Sequence, residues 1–585
     1  MVIPLSFLVP VPFLVAAIVA LIIPKGKSLG YLGVIAGLCT FALVLHLALA
    51  GGPSVQQMSW FSVAGTTFVW SVLADKLSLL LAGIVAGIGT LIFLYSIGYL
   101  EPTEDLKRFY AVLGLFAAAM LGVVTSENLF QLFFCWELVG VSSYLLIGFW
   151  HDRESAIVAA RKAFLTIIIG DAFLLFGILL LWHEYGTFSI TQLLVHAHLT
   201  MMTTIAGACI IVGAISKSAQ FPLHTWLPDA MEGPTPVSAF LHSATMVKAG
   251  LFLIARMLPL LILAGLSPVL VVIAVITIII SACCALVEND VKRVLAYSTM
   301  NQLAFILLAL GLGATAAGLY HLLNHSIFKA LLFMSAGVII HLAGTQDITK
   351  MNLKRGWNLL ALTTLVGAMA LAGLPPFSGF FSKDAILEAV LHTDNAALIV
   401  VFCVAILLSS LYIFRWYFLI FRKDGALGHI NGHMRMPLPL LALLTALGGF
   451  AMMPFFSLWG DHASLGVASV VSVCLSGIGL VCAYLIYVKK SWDIDALASS
   501  PIAQVFRARF MVDDFYSWLA GTVASIGSGL SWVDDHIINR LIESIVRFLG
   551  SLAAVLRKLV TGHARTYLVG IVIGFIIIAL VLRFT

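Results

Sequence analysis

Sixteen apolar runs of helical length follow one another along this chain, and no other feature limits its fold so strongly. Their approximate limits are 3–23, 29–50, 76–98, 109–126, 128–149, 160–182, 203–221, 237–260, 266–288, 291–312, 317–341, 358–393 (interrupted), 399–420, 437–457, 466–488 and 566–583. About 20 apolar residues cross the hydrocarbon core of a bilayer as a helix. The runs are continuous, so they predict helices, not the alternating strands of about 10 residues that build a barrel. Only 10% of the residues are charged and 61% are hydrophobic, against roughly a quarter charged in a soluble chain. The fold class is therefore an all-α polytopic membrane protein.

Composition also excludes functions. The net charge of +5 is spread between apolar runs, whereas nucleic-acid binding needs a basic patch or stripe. The eight cysteines, Cys39, Cys135, Cys209, Cys283, Cys284, Cys403, Cys474 and Cys482, lie inside apolar runs and form no CxxC. They predict no zinc or iron–sulfur framework. The first apolar run has no basic segment before it and reads as a retained span, not a cleaved signal.

Lysine and arginine follow the odd-numbered runs: Lys25 and Lys27, Lys107 and Arg108, Arg153, Arg161 and Lys162, Lys292 and Arg293, Lys350, Lys354 and Arg355, Arg422, Lys423 and Arg435, Lys489 and Lys490. The positive-inside rule then makes those loops cytoplasmic and puts both termini on the extracytoplasmic side. Residues 53–75, with Trp60, Phe61, Phe68, Val69, Trp70 and Val72 around Ala64-Gly65, predict an extracytoplasmic β-hairpin. Residues 511–560 alternate Trp518, Ile537, Leu541, Ile545 and Phe548 with Asp534, Arg540, Glu543 and Arg547. That pattern is too polar to span and predicts an amphipathic helix on the cytoplasmic face or against partner subunits; an ordinary connecting helix is the alternative.

A charge at mid-span costs roughly 2.5–3.5 kcal/mol on insertion scales. This chain carries Glu137, Asp171, Lys217, Lys248, Lys329, Lys383 and Asp384 inside apolar runs, with Arg415 as a further candidate and the histidines His242, His321, His325 and His341. One such lysine is explained by snorkelling or a structural ion pair; the set is not. Burial disfavours the charged form of lysine and carboxylate alike, so each becomes able to exchange a proton near neutral pH as its neighbours move. His321, His325 and Lys329 recur at i, i+4 and i+8, along one helix face, as a water-bridged relay or a polar packing seam requires.

Two runs are broken. The seventh passes Lys217 to Phe221-Pro222, Pro228, Gly233, Pro234 and Pro236; the twelfth contains Leu374-Pro375-Pro376-Phe377-Ser378-Gly379 before Lys383. Proline removes a donor, and irregular backbone at membrane depth is tolerated only within protein or along a water cavity. Two interrupted runs, each with a lysine, predict inverted five-helix repeats over spans 4–8 and 9–13. The resulting division is 1–108 (spans 1–3 and hairpin), 109–260 and 261–420 (the repeats), 421–510 (spans 14–15 and linker), 511–565 (amphipathic helix) and 566–585 (terminal span).

The stretch from Lys217-Ser218-Ala219-Gln220-Phe221-Pro222 through Trp226-Leu227-Pro228-Asp229-Ala230-Met231-Glu232-Gly233-Pro234-Thr235-Pro236 to His242 resembles the signature of antiporter-like subunits of complex I and Mrp-type cation/proton antiporters. Trp136-Glu137-Leu138-Val139-Gly140 and Phe380-Phe381-Ser382-Lys383-Asp384 resemble the fifth- and twelfth-helix motifs of that family. Phe510-Met511-Val512-Asp513-Asp514-Phe515-Tyr516, the amphipathic segment and the last span resemble the tail of its proton-translocating subunit L branch. The resemblance implies Glu137 and Lys217 as a switching pair, His242 as a link to the centre, His321, His325 and Lys329 as an axial relay, and Lys383 as a terminal switch. Asp171 matches a charged sixth-helix position. It also implies a lateral helix tying M- and N-type neighbours, no cofactor or metal in this chain, and FMN, iron–sulfur clusters and quinone in partner subunits. The implied location is a bacterial or archaeal inner membrane or its thylakoid or organelle equivalent.

Two positions depart from the pattern. The family usually has arginine three residues before the aspartate; here it is Ile168, which leaves Arg161, Lys162 or a residue elsewhere to pair with Asp171. Lys248 replaces a small residue usual in subunit L, either as an added central proton site or as the mark of different ion coupling. A Mrp-type sodium/proton antiporter subunit or an ion-translocating hydrogenase subunit is the alternative function. A scaffold that moves no ions is disfavoured by the intramembrane charges.

Overall fold

The computed structural model describes residues 5–22, 26, 28–51, 54–63, 66–100, 105–423, 425, 428–462, 466–491, 500–560 and 562–584. The chain forms two compact units, Met1–Phe510 and Met511–Thr585. Fourteen described helices are long and apolar enough to cross a membrane; two further apolar helices, Met201–Lys217 and Leu359–Ala372, are shorter. The short pair falls on the seventh and twelfth runs, where the sequence predicts interruptions.

Each interruption has a local cause. The helix Met201–Lys217 stops at Lys217, and the chain leaves helical geometry through Ala219 (φ 50°) before the turns Trp226–Asp229 and Ala230–Glu232. Pro222 and Pro228 lack the amide hydrogen a continuing helix needs. Leu359–Ala372 ends on Gly373 at φ 86°, the left-handed stop that glycine adopts without steric penalty. After Pro375-Pro376 the chain resumes helix at Ser378–Leu391.

The eighth run corrects the sequence reading. Expected as one helix over 237–260, it is two, Thr235–Ser243 and Met246–Leu263, separated by Thr245 at φ −123° and ψ −123°. Neither proline nor glycine marks the break. Instead Thr245 turns its amide and its Oγ1 onto the Phe240 carbonyl at 3.2 and 3.0 Å, a local side-chain bond that competes with the helix.

These pieces pack around the helix Thr315–Ala343. It meets Thr235–Ser243, Val291–Gly311 and Ser378–Leu391, while Met201–Lys217 is held between Glu154–Tyr185 and Met246–Leu263. Close approach depends on glycine at two crossings. A Cβ on Gly250 would lie 2.0 Å from the Ala214 carbonyl oxygen, and one on Gly379 would lie 1.8 Å from that of Ala370.

The strands Ser54–Val63 and Thr66–Ala74 pair antiparallel, with a register shift between Ser59 and Phe61. The predicted turn at Ala64-Gly65 lies outside the described residues. Asp75 caps the next helix by accepting from the Ser78 amide at 2.9 Å and is gripped by both terminal guanidinium nitrogens of Arg256. Glu127, fully buried, accepts from Ser71 Oγ (2.9 Å), Thr191 Oγ1 (2.7 Å) and Ser189 Oγ. These contacts gather the loops of one face. On the other, Asp229 bridges Lys162 (2.6 Å) and Arg509 (2.9 Å), and Glu232 meets Arg293 at 3.3 Å. Arg415, a candidate intramembrane charge by sequence, belongs to that face: it donates to the Glu288 carbonyl and the Asn289 side chain. Lys25 and Lys27 lie outside the described residues.

In the second unit, Val512–Val533 and Asn539–Leu559 are joined by a wider π-helical turn, Asp534–Ile538. At about 1.5 Å rise per residue this rod is on the order of 70 Å long. Ile538, Leu541, Ile545, Phe548, Leu552 and Val555 recur at i+3 and i+4 as an apolar stripe. Arg540, Glu543 and Arg547 occupy the opposite face, with Glu543 and Arg547 3.9 Å apart. The helix Ala564–Phe584 follows.

Candidate functional site

The first cluster lies where helices Leu129–Ile147, Glu154–Tyr185 and Met201–Lys217 meet. Lys217 ends its helix with no side-chain exposure, and Asp171 projects toward it with its Oδ2 3.6 Å from the ammonium. Asp171 Oδ1 accepts from the Trp136 indole at 2.6 Å. The Lys217 ammonium donates to the Trp136 carbonyl and lies 4.6 Å from the Trp136 ring centre. The sequence leaves the partner of Asp171 open among Arg161, Lys162 or another residue; the structure gives Lys217, while Lys162 is engaged by Asp229. Glu137 is half-buried and faces the same pair electrostatically. Among the described residues, the carboxylate within 4.0 Å of Lys217 is that of Asp171, not Glu137.

The second cluster surrounds Thr315–Ala343. Lys248, on the first turn after the helix break, donates to the Ser243 carbonyl that the break released and to Ser326 Oγ. Lys329 donates to Ser298 Oγ and to the Leu295 carbonyl at 3.2 Å. Lys383 takes the Leu371 and Ala372 carbonyls at the end of the interrupted helix (2.5 and 3.3 Å) and Ser409 Oγ at 2.9 Å. The last carbonyls of a helix have no partner in the helix itself and carry its partial negative charge, so a broken helix end is a cradle for an ammonium. Asp384 does not pair with Lys383. One residue of helix turns it by about 100°, and its Oδ2 accepts from Ser469 Oγ at 2.7 Å.

Lys217, Lys248, Lys329, Lys383, His242, His321 and His325 are all fully buried. Around Lys248, Lys329 and Lys383 no carboxylate oxygen lies within 4.0 Å among the described residues. A buried ammonium with no counter-ion is poorly stabilised and is charged or neutral according to small shifts of its surroundings. His321 Nδ1 meets Ser382 Oγ at 2.8 Å, next in sequence to Lys383. His321 and His325 have ring centres 6.3 Å apart, and His242 lies tilted against Phe333 with ring centres 4.6 Å apart. Both ring nitrogens of His242 and His325, and Nε2 of His321, are buried without a protein hydrogen-bond partner. Buried polar groups are normally satisfied, so these nitrogens are the unsatisfied points of the cluster.

Sequence reasoning did not single out the second partners. Ser298, Ser326, Ser382 and Ser409 each meet one of these groups, yet a lone serine in an apolar helix usually only bonds back to its own helix. Trp136 stands in the fifth-helix motif, which by itself assigns its indole no role. No group of three or more His, Cys, Asp or Glu residues arranged to hold a metal occurs among the described residues.

Residues 126–409 match the family described as NADH:quinone oxidoreductase/Mrp antiporter, TM, and residues 60–110 match NADH-Ubiquinone oxidoreductase (complex I), chain 5 N-terminus. The ionisable positions of the two clusters, Glu137 to Asp384, fall within the first match. NAD(P)H-quinone oxidoreductase subunit 5, chloroplastic, of Nephroselmis olivacea is 37% identical over 86% of this chain and 84% of its own length. F(420)H(2) dehydrogenase subunit L of Methanosarcina mazei is 34% identical over 99% of this chain and 98% of its own. Among solved structures, a chain of the Mrp complex from Dietzia sp. DQ12-45-1b superposes with a TM-score of 0.77 at 27% identity over 94% of this chain, which spans 62% of that chain's length. With identities above 30% over most of its length to such relatives, this chain belongs to the family of antiporter-like membrane subunits shared by NADH:quinone oxidoreductases and Mrp antiporters, in its subunit L/chain 5 branch.

Proposed function

We propose that this chain is a proton-translocating membrane-arm subunit of a quinone-reducing respiratory complex, driven by electron transfer in partner subunits that hold FMN, iron–sulfur clusters and quinone. The observation that carries this reading is the set of three buried lysines, Lys248, Lys329 and Lys383, held by carbonyl and hydroxyl oxygens with no carboxylate nearby. Such groups exchange a proton when a neighbouring charge changes. The proposed path runs from Glu137, Asp171 and Lys217 through His242 and Lys248, along His325, His321 and Lys329, to Lys383 and Asp384. Water joins the first cluster to the second, since no hydrogen bond between protein groups links Lys217 to His242 or Lys248 among the described residues.

The sixteen-span topology, the two inverted repeats and the extracytoplasmic position of both termini complete the proposal. The helix over 512–559, with one apolar stripe, serves as the lateral tie to M- and N-type neighbours. Lys248 and the likeness to the Mrp complex favour sodium/proton antiport as the second reading. Purification with native partners tests the choice: co-purifying flavin and iron–sulfur subunits support the first reading, and a set of small antiporter subunits alone overturns it.

A further inference from the structure

A second kind of site lies at the face that carries Asp229 and Glu232. Arg293, Arg507 and Arg509, with Glu288, Asn289 and Tyr297, line a cavity of about 270 Å³ at the end of the helix Ser267–Val287. The short helix Pro501–Arg507 packs against that helix and brings Arg507, and Arg509 follows in the next turn. Arg509 is spoken for by Asp229 at 2.9 Å, and Arg293 by Glu232 at 3.3 Å. Arg507 is exposed and has no ion-pair partner among the described residues. Of the side chains that line the cavity, three are cationic (Arg293, Arg507, Arg509) and one is a carboxylate (Glu288), which leaves positive charge in excess on its walls.

The approach to this cavity is apolar. Val272, Ile276, Ile279, Cys283 and Leu286 recur at i+3 and i+4 on Ser267–Val287, and Val272 and Ile279 are 57% and 44% exposed. That stripe runs along a helix long and apolar enough to span a membrane, whose last turn lines the cavity through Cys284 and Val287. A guanidinium pocket at the end of a bilayer-facing apolar track matches one molecule with both chemistries: an arginine-bound phosphate joined to acyl chains.

We propose that this cavity is a headgroup site for one anionic phospholipid, with Arg507 as its uncommitted phosphate ligand and the Ser267–Val287 stripe as the bed of its acyl chains. The site is separate from the proton path and does not depend on it.

The test uses the chain in its native complex, purified in mild detergent, delipidated, and placed in nanodiscs of phosphatidylcholine alone or of an equimolar mixture with phosphatidylglycerol. Bound lipid is counted by mass spectrometry and thermal stability is read in parallel. The wild-type complex should retain phosphatidylglycerol that Arg507→Gln and Arg507→Glu lose, with binding weaker by at least about fivefold, and it should unfold at higher temperature in the mixed nanodiscs. The wild-type measurements stand without any variant. Equal lipid retention by wild type and Arg507→Glu overturns the site. Equal protection by inorganic phosphate in phosphatidylcholine alone assigns the cavity to a free anion and overturns the lipid. Loss of a co-purifying subunit from Arg507→Glu with unchanged lipid makes the surface a protein interface and overturns it too.

Discussion

Replacing Asp171 with asparagine removes one charge and little else. The amide keeps an oxygen to accept from the Trp136 indole, which holds Asp171 Oδ1 at 2.6 Å. What is lost is the attraction across the 3.6 Å to Lys217. At an effective dielectric near 20 that attraction is about 4–5 kcal/mol, and each 1.4 kcal/mol is about tenfold in rate or equilibrium. Even after reorganisation offsets half of it, proton transfer through Lys217 falls by more than about tenfold. Proton uptake by proteoliposomes holding the intact complex, normalised to electron-transfer rate, reads this directly. Double-mutant cycles with Lys217→Ala then separate the carboxylates. Asp171→Asn adds no further loss to Lys217→Ala, and Glu137→Gln shows a smaller coupling energy with Lys217 because it stands beyond 4.0 Å. Pumping by Asp171→Asn within twofold of wild type, or full additivity with Lys217→Ala, refutes this assignment of the pair.

Three other perturbations have defined outcomes. Gly250→Val drives a side chain into the Ala214 carbonyl, 2.0 Å from its Cβ; overpacking of this kind costs about 1–3 kcal/mol or more, so the yield of folded complex drops, whereas the open Gly477→Ala leaves it unchanged. Burial pushes the Asp75 carboxyl up, but the Arg256 guanidinium and Ser78 donors beside it prevail and hold it below its ordinary value. Its stabilisation is therefore complete above the unfolded carboxylate range, near pH 4, and is lost as pH falls further. Asp75→Asn should lower thermal stability by about 2–3 kcal/mol at neutral pH and lose that difference in acid; equal melting at neutral pH would exclude the pair as a brace. Deleting 511–585 should release neighbouring membrane subunits during purification, and a fully coupled, intact complex after truncation would contradict the lateral tie.

The spans were legible because a bilayer imposes one rule on every residue it touches, and the intramembrane charges stood out against it. The breaks at Phe221-Pro222 and Leu374-Pro375-Pro376 were legible because proline states its constraint locally. The break at Ala244-Thr245 was not, since its cause is a hydroxyl bonded to Phe240, and threonine is ordinary inside helices. Partner choice was the least legible. Asp171 and Lys217 lie on different helices, and only packing decides that Asp171, not Glu137, stands nearest the ammonium. The carbonyl cradles of Lys248 and Lys383 follow from where helices end, which is a property of the fold and not of the residues beside those lysines.

The central claim is that the buried lysines, Lys217 beside Asp171 and Lys383 with no carboxylate within 4.0 Å among the described residues, carry protons across the membrane. The measurement that bears on it most directly is proton translocation per electron pair in proteoliposomes containing Lys217→Ala, Lys383→Ala or the exposed Lys354→Ala. Loss of translocation in the first two, with Lys354→Ala unchanged, is the predicted result. Equal translocation by all three would contradict it and remove these lysines from the path.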